Sequence, residues 1–406
     1  MKTFIKKTFN LFSIALFLFA FSACEKDDVK PRDPGNGGGG GTVDNTYVLK
    51  GSINKKTILT NHRSGWDYEV QGSLTIYDEL IIEEGVELRM ASNARITVKG
   101  EGLINAVGTA DHPITIKGNA SSSGYWYTII VESNNPDNVF DYVSISDGGG
   151  ESYYSNTSVY IGGSGQLTIK NSSISNSKGY GLYTDGSIPN FSNNTFSKNG
   201  DAPVRINFSR ISDLDASSNY ADNNYNNYIH VAAANLNQNQ EVQSLNVPYF
   251  INGNCYIDGD LTLKPGVDFL MASTARIIVR ANGSFNAVGT NTEPITIKGK
   301  AASVGYWDDI IFESNHPNNE FKHVTIENSG KYDYYYNSTI YVSENASLKI
   351  NDCTIKDSYG WGIYVRNGAN MDPSTKVDLE NANSFSNNAT GSGFNCSDSP
   401  CNVYMN

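Results

Sequence analysis

The chain has 406 residues and a net charge of −12. That acidity disfavours nucleic acid and anionic lipid as partners, and argues more weakly against a polyanionic glycan. Gly, Asn, Ser and Tyr are abundant, and long apolar stripes of helical period are absent.

The first residues read as an address. Lys2, Lys6 and Lys7 form a basic start, an apolar run follows from Phe9 to Ala20, and Phe21-Ser22-Ala23 leads into Cys24. The run is shorter than the ~20 residues a membrane span needs. Small residues before a cysteine at this place resemble a bacterial lipobox, which implies a signal peptide over 1–23 and lipidation of Cys24. Lys26-Asp27-Asp28 resembles the export signal that sends lipoproteins of the Bacteroidota to the outer face of the outer membrane. The implied location is the outer membrane, lipid-anchored and facing the exterior. Residues 24–45 hold VKPRDPGNGGGGG and read as a flexible tether, because Pro and Gly at that density cannot pack a core. Losing the three leader lysines makes the mature chain still more acidic. No later segment is apolar and long enough to cross a bilayer.

The body is written twice. Residues 90–118, MASNARITVKGEGLINAVGTADHPITIKG, return at 271–299 as MASTARIIVRANGSFNAVGTNTEPITIKG. The shift from Met90 to Met271 is 181, and it carries Tyr68 onto Tyr249 and Tyr183 onto Tyr364 without a gap. Two homologous halves are expected, 46–240 and 241–406, the second with a C-terminal cap. Within them, runs such as Ala94 to Val98, Ile114 to Ile116, Tyr142 to Ile145 and Ser158 to Ile161 read as strands of three to five residues. Gly, Asn, Asp and Ser break them. Short strands at close spacing, with no crossover helix, suit a coil that turns a corner at each break and stacks its turns in parallel. Asn at the corners can take left-handed angles and bond to turns above and below. At roughly 20–25 residues per coil, a 181-residue unit would hold about eight coils.

The order of motifs is specific. LIIEEGV (80–86), NAVGT (105–109), PITI (113–116) and GYW (124–126) recur as LTLKPGV (261–267), NAVGT (286–290), PITI (294–297) and GYW (305–307). This is similar to the right-handed parallel β-helix repeat proteins found among secreted and surface proteins of the Bacteroidota. The resemblance implies an all-β, single-stranded right-handed parallel β-helix over most of 50–400. It says little about function, because that fold serves lyases, hydrolases, adhesins and scaffolds.

The duplication also acts as a control on chemistry. The β-helix lyases resemble one another in clustered acids for calcium with a Lys or Arg base, and the galacturonases in Asn-Thr-Asp, Asp-Asp and Gly-His-Gly motifs. No Asn-Thr-Asp or Gly-His-Gly occurs here. Asp308-Asp309 stands where copy one has Tyr127-Thr128, and reads as a solvated strand edge. Histidines never persist: His112 faces Glu293, Asn135 faces His316, Tyr142 faces His323. Arg95/Arg276, Lys117/Lys298, Glu132/Glu313 and Asn105/Asn286 persist, as structural ion pairs or corner bonds would. Cys255 and Cys353 read as small buried residues. Cys396 and Cys401, in a short loop outside the cytoplasm, read as a local disulfide. No metal or other cofactor is expected, calcium entering only if the chain were a lyase.

Tyrosines are the better lead. Tyr153-Tyr154 in ESYYSNTS matches Tyr334-Tyr335 in DYYYNST, with Tyr336 beside them. In polar loops such rings stack on sugars, or else cover the edge of the coil stack. The sequence therefore points to a non-catalytic, surface-anchored module presenting a long flat face to a polysaccharide or another surface protein. A lyase or hydrolase with one degenerate half, and an inert surface scaffold, are the alternatives.

Overall fold

The computed structural model describes residues 47–62, 65–280, 282–389 and 402–405. The expected signal peptide over 1–23, Cys24, Lys26, Asp27 and Asp28, and the disulfide expected between Cys396 and Cys401, lie outside these residues. The described chain is a parallel β-helix, with one all-parallel sheet of 20 strands and three further sheets of 6, 7 and 6. Each coil has three sides. In copy one, the first side includes Glu87–Met90, Ile114–Gly118, Val143–Ser146 and Ser173–Ser175. The second includes Arg95–Val98, Ile129–Val131, Val159–Ile161 and Leu182–Thr184. The third includes Leu103–Val107, Val139–Asp141 and Thr168–Lys170.

Alternation along each strand decides what faces inward. Ile76, Val98, Val131, Ile161, Thr184, Ile206, Val231, Ile251 and Met271 follow one another up the second side, and all are buried. Such rows join into one core that includes Trp126 and Trp307. Each tryptophan donates its indole N–H at 2.7 Å to a carbonyl, Ser146 O in copy one and Glu327 O in copy two. Cys255 and Cys353 are free and buried, and burial pushes both thiols up to about 12, so neither is a nucleophile near neutral pH.

The two copies share their register. Leu88 pairs with Ile116 and Phe269 with Ile297; Ile145 pairs with Ile174 and Ile326 with Ile355. Corners repeat as well. The Asn138 amide accepts from Ile104 N at 2.9 Å and donates to Ser133 O at 3.2 Å. Asn319 does the same for Phe285 N at 2.9 Å and Ser314 O at 3.0 Å. Asn194 joins Ser172 N to Ile169 O, and Asn383 joins Cys353 N to Ile350 O. Left-handed corners fall at Asn171, Asn176, Asn193 and Asn223, as expected of Asn, but also at Tyr142 and its counterpart His323.

Asn194 and Asn383 are 189 apart, not 181, so the repeat runs on past Tyr364 behind an eight-residue insertion. That insertion holds the helix Lys376–Ala382, whose first turn is capped by Thr375 Oγ1 accepting from Asp378 N at 3.1 Å. NNTFSKN (193–199) thus returns as ANSFSNN (382–388).

The copies are not stacked side upon side. The ladder that holds Arg95–Val98 and Val159–Ile161 in copy one runs on through Val204–Asn207 and Ile229–Ala232 into Tyr249–Asn252 and Asp268–Met271. By sequence, Asp268–Met271 is the counterpart of Glu87–Met90, a first-side strand. From 74–76 to Tyr249–Asn252 there are seven pairings, and Tyr249 is the counterpart of Tyr68, one side earlier. The 181-residue unit therefore spans seven coils and one side, rather than the eight coils expected. Copy two is consequently turned by one side about the axis, and the second side of copy one is continuous with the first side of copy two.

The extra side is accommodated between the copies. There the 3-10 turn Phe208–Asp213 stands in place of a third-side strand, burying Phe208 and Ile211. Gln240 crosses onto it, donating to Ser209 O and accepting from Ser212 N.

Candidate functional site

Both tyrosine loops occupy the corner between the first and second sides of their own copy. In each, a left-handed glycine turns the chain outward. A Cβ on Gly149 would lie 2.1 Å from Asn156 O, and one on Gly330 would lie 2.3 Å from Ser358 Oγ. One 3-10 turn follows, Ser152–Tyr154 or Asp333–Tyr335. Two left-handed residues then close the loop, Ser155-Asn156 or Tyr336-Asn337. Asn156 N donates to Glu151 O and Asn337 N to Tyr332 O, both at 3.1 Å.

This geometry sets the rings. Tyr153 meets Tyr154 edge-on, with centroids 4.9 Å apart at 83°, and Tyr334 meets Tyr335 at 4.9 Å and 85°. The inner ring of each pair leans on an outward tyrosine of the next strand, Tyr154 on Tyr160 and Tyr335 on Tyr341, again at 4.9 Å. Tyr183 and Tyr364 extend the rows at 5.1 Å and 5.8 Å. The outer ring stays in water: Tyr153 is 84% exposed and Tyr334 72%. The loop residues are thus divided. Tyr154 and Tyr335 cover the coil edge, while Tyr153 and Tyr334 meet neighbouring loop rings and present most of their surface to solvent. In copy two, Tyr336 lies flat on Tyr364 at 4.2 Å and 5°, and its hydroxyl accepts from Arg366 at 3.0 Å.

The loops do not share the single flat face expected from sequence. Tyr154 leans over the sheet common to both copies, whereas Tyr335 leans over the following sheet, which holds Ser338–Val342 and Trp361–Val365. The one-side turn between copies is the cause.

Arg95 and Arg276, kept in both copies, fasten the loops. Arg95 pairs with Glu151 at the loop's start, its guanidinium 5.4 Å from the Tyr127 ring. Arg276 bonds Asp308 at 2.8 Å and lies 3.9 Å from the Tyr332 ring. Asp309 sits behind it, fully buried, so the solvated edge expected for Asp308-Asp309 is corrected. Side-chain alternation aims Asp309 into the body. Its Oδ1 lies 3.0 Å from Arg276 Nε but off the hydrogen-bonding direction, and neither carboxylate oxygen has a hydrogen bond. Burial, offset by Arg276 and reinforced by Asp308, raises its pKa to about 7. The counterpart Thr128 instead hydrogen-bonds Ile129 O and Ser158 O, both at 3.3 Å.

The common sheet carries a second polar and aromatic row beyond Tyr183. Arg205 stacks 4.2 Å over Tyr183, and His230 holds Tyr180 Oη at 2.7 Å from Nδ1. Burial, then Arg205, lowers the His230 pKa to about 4, so the ring is neutral, with Asn252 Nδ2 3.1 Å from its Nε2. Phe250 continues the row 5.7 Å from His230, with Lys300 4.6 Å above it.

The concave features lie elsewhere. A cleft of about 660 Å³ opens beside the junction, lined by Lys170, Phe191, Asp213, Asp215 and Gln243 among others. Lys170 pairs with Asp141 at 3.0 Å and Asp215 accepts from the hydroxyls of Ser217 and Ser218, while Asp213 lies 3.7 Å from Arg210 with its buried Oδ2 lacking a hydrogen bond. Among the described residues no three of His, Cys, Asp and Glu gather as a metal site. The tyrosine loops recur in both copies, as does the NAVGT segment, whose first copy lines a second open cleft of about 810 Å³ with His112 and Glu83.

No family model matches the chain, and no curated protein or solved structure does either.

Proposed function

We propose that this β-helix is a non-catalytic module that binds neutral polysaccharide through its tyrosine edges, displayed on the cell surface by a lipid tether. The observation that carries this reading is the repeated edge-on pair. Two copies that differ at most polar positions both keep an exposed tyrosine set edge-on against a half-buried neighbour. Rigid exposed rings stack on the apolar face of a pyranose at small entropic cost, and the flanking Asn and Ser can bond its hydroxyls. The net negative charge favours a neutral glycan over an acidic one. The basic start, the apolar run ending at Cys24, Lys26-Asp27-Asp28 and the Gly/Pro tether support a lipid anchor in an outer membrane with the body outside.

Electrophoresis through native gels cast with neutral polysaccharides (a β-glucan, a mannan, an arabinoxylan, starch) tests the reading. Retardation of the wild type on at least one gel, lost in the Y153A/Y154A/Y334A/Y335A variant with an unchanged melting temperature, is expected. Equal mobility of the two proteins on every gel would refute it.

A further inference from the structure

The placement of the two edges says how a ligand would be held. Val159–Ile161, just after the first loop, and Val324–Glu327, just before the second, lie on one ladder with seven pairings between them. At roughly 4.8 Å per pairing the loops stand about 34 Å apart along the axis. They also point in different directions. The first loop rests on the outward rings of the common sheet, Tyr160 and Tyr183, and the second on those of the next sheet, Tyr341 and Tyr364. A straight chain lying along one edge leaves the other pointing away from it by one side of the coil.

We infer that the molecule holds two separate polysaccharide chains, one on each edge, and cross-links them. This rests on the glycan reading above and adds valence and geometry to it. The rigidity of the stack matters here. Paired strands run from one loop to the other without interruption, so the edges cannot swing onto a common line. A bivalent body of this shape gains apparent affinity only in a network where two chains are near one another. On an isolated short chain each edge acts alone.

The test uses the neutral polysaccharide that most retards the wild type, and an oligosaccharide of it too short to span about 34 Å. Calorimetry with the oligosaccharide should give two sites per protein, and one site in either Y153A/Y154A or Y334A/Y335A. Light scattering should show the wild type enlarging polysaccharide particles several-fold, while either two-residue variant still binds but produces no enlargement. Binding of the wild type without enlargement would overturn the two-chain arrangement and leave the glycan reading standing. Enlargement retained by both variants would also overturn it, since cross-linking would then come from association of whole molecules. No retardation of the wild type by any gel would overturn the glycan reading and this inference together.

Discussion

Arg276 holds the ring of Tyr332 at 3.9 Å, and Tyr332 is the counterpart of Glu151, the carboxylate that Arg95 holds in copy one. The exchange is reciprocal: Asp308, which Arg276 pairs at 2.8 Å, is the counterpart of Tyr127, whose ring lies 5.4 Å from Arg95. Each arginine therefore keeps a carboxylate and a tyrosine ring with their places in the chain swapped, and Arg276 alone has a second carboxylate, Asp309, at 3.0 Å. The loops are fastened by the same two interactions in both copies.

The swap can be rebuilt. In copy one, E151Y alone leaves Arg95 without a carboxylate, and Y127D alone gives it two. Each should cost on the order of 1 kcal/mol and lower the melting temperature. The Y127D/E151Y double change should recover most of that loss, with a coupling of roughly 0.5–3 kcal/mol in the double-mutant cycle. Strict additivity in calorimetric melts would show that the two partners do not act through one arginine.

Asp309 predicts a loss of stability toward alkaline pH. Its folded pKa is raised to about 7, so the folded state holds the proton more tightly than the unfolded one. The neutral form costs little, and stability falls as pH rises from about 4 to about 7, with the penalty complete above that. D309T restores the residue of copy one, whose hydroxyl bonds two carbonyls. The variant should melt several degrees higher than the wild type at pH 8 and little differently at pH 4. An equal change at both pH values would contradict an ionisation cost.

His230 predicts the opposite slope. Its folded pKa is lowered to about 4, so the unfolded state binds the proton more readily, and stability is lost as pH falls from about 6.5 to about 4. H230F keeps the contact with Phe250 and cannot ionise, so its melting temperature should change less over that window. An NMR titration of the imidazole protons with a midpoint near 6.5 would contradict the burial of a neutral ring.

The corner asparagines should matter equally in both copies. N138A orphans Ile104 N and N319A orphans Phe285 N, both buried within the stack, while Ser133 O and Ser314 O keep their bonds from Gln166 N and Ser347 N at 3.0 Å. Each change should destabilise by about 1–3 kcal/mol. A cost in one copy only, in thermal melts of the two variants, would break the equivalence of the corners.

Much of the body was legible because its rules are local. Period-two alternation marked the strands. Left-handed corners were legible where Asn occupies them, but not at Tyr142 or His323, whose side chains carry no such signal. The number of coils was misjudged because coil length varies. Tyr68 to Leu88 is a short coil, whereas Leu88 to Ile116 carries a longer corner, and strand spacing alone does not show where a corner bulges. The one-side turn between copies follows from that remainder and was invisible without the ladder. Comparing copies position by position hid the exchange around Arg95 and Arg276, because a carboxylate that has changed places scores as a carboxylate lost. Asp309 was missed for a related reason: an Asp-Asp pair reads as polar, while alternation puts its second member inside.

Hydrogen exchange with and without the retarding polysaccharide tests the central claim most directly. Added slowing at 152–157 and at 333–338 together, with the rest of the described body unchanged, is the predicted result. Slowing confined to the cleft around Lys170, Phe191 and Asp213, or to one loop alone, would contradict it.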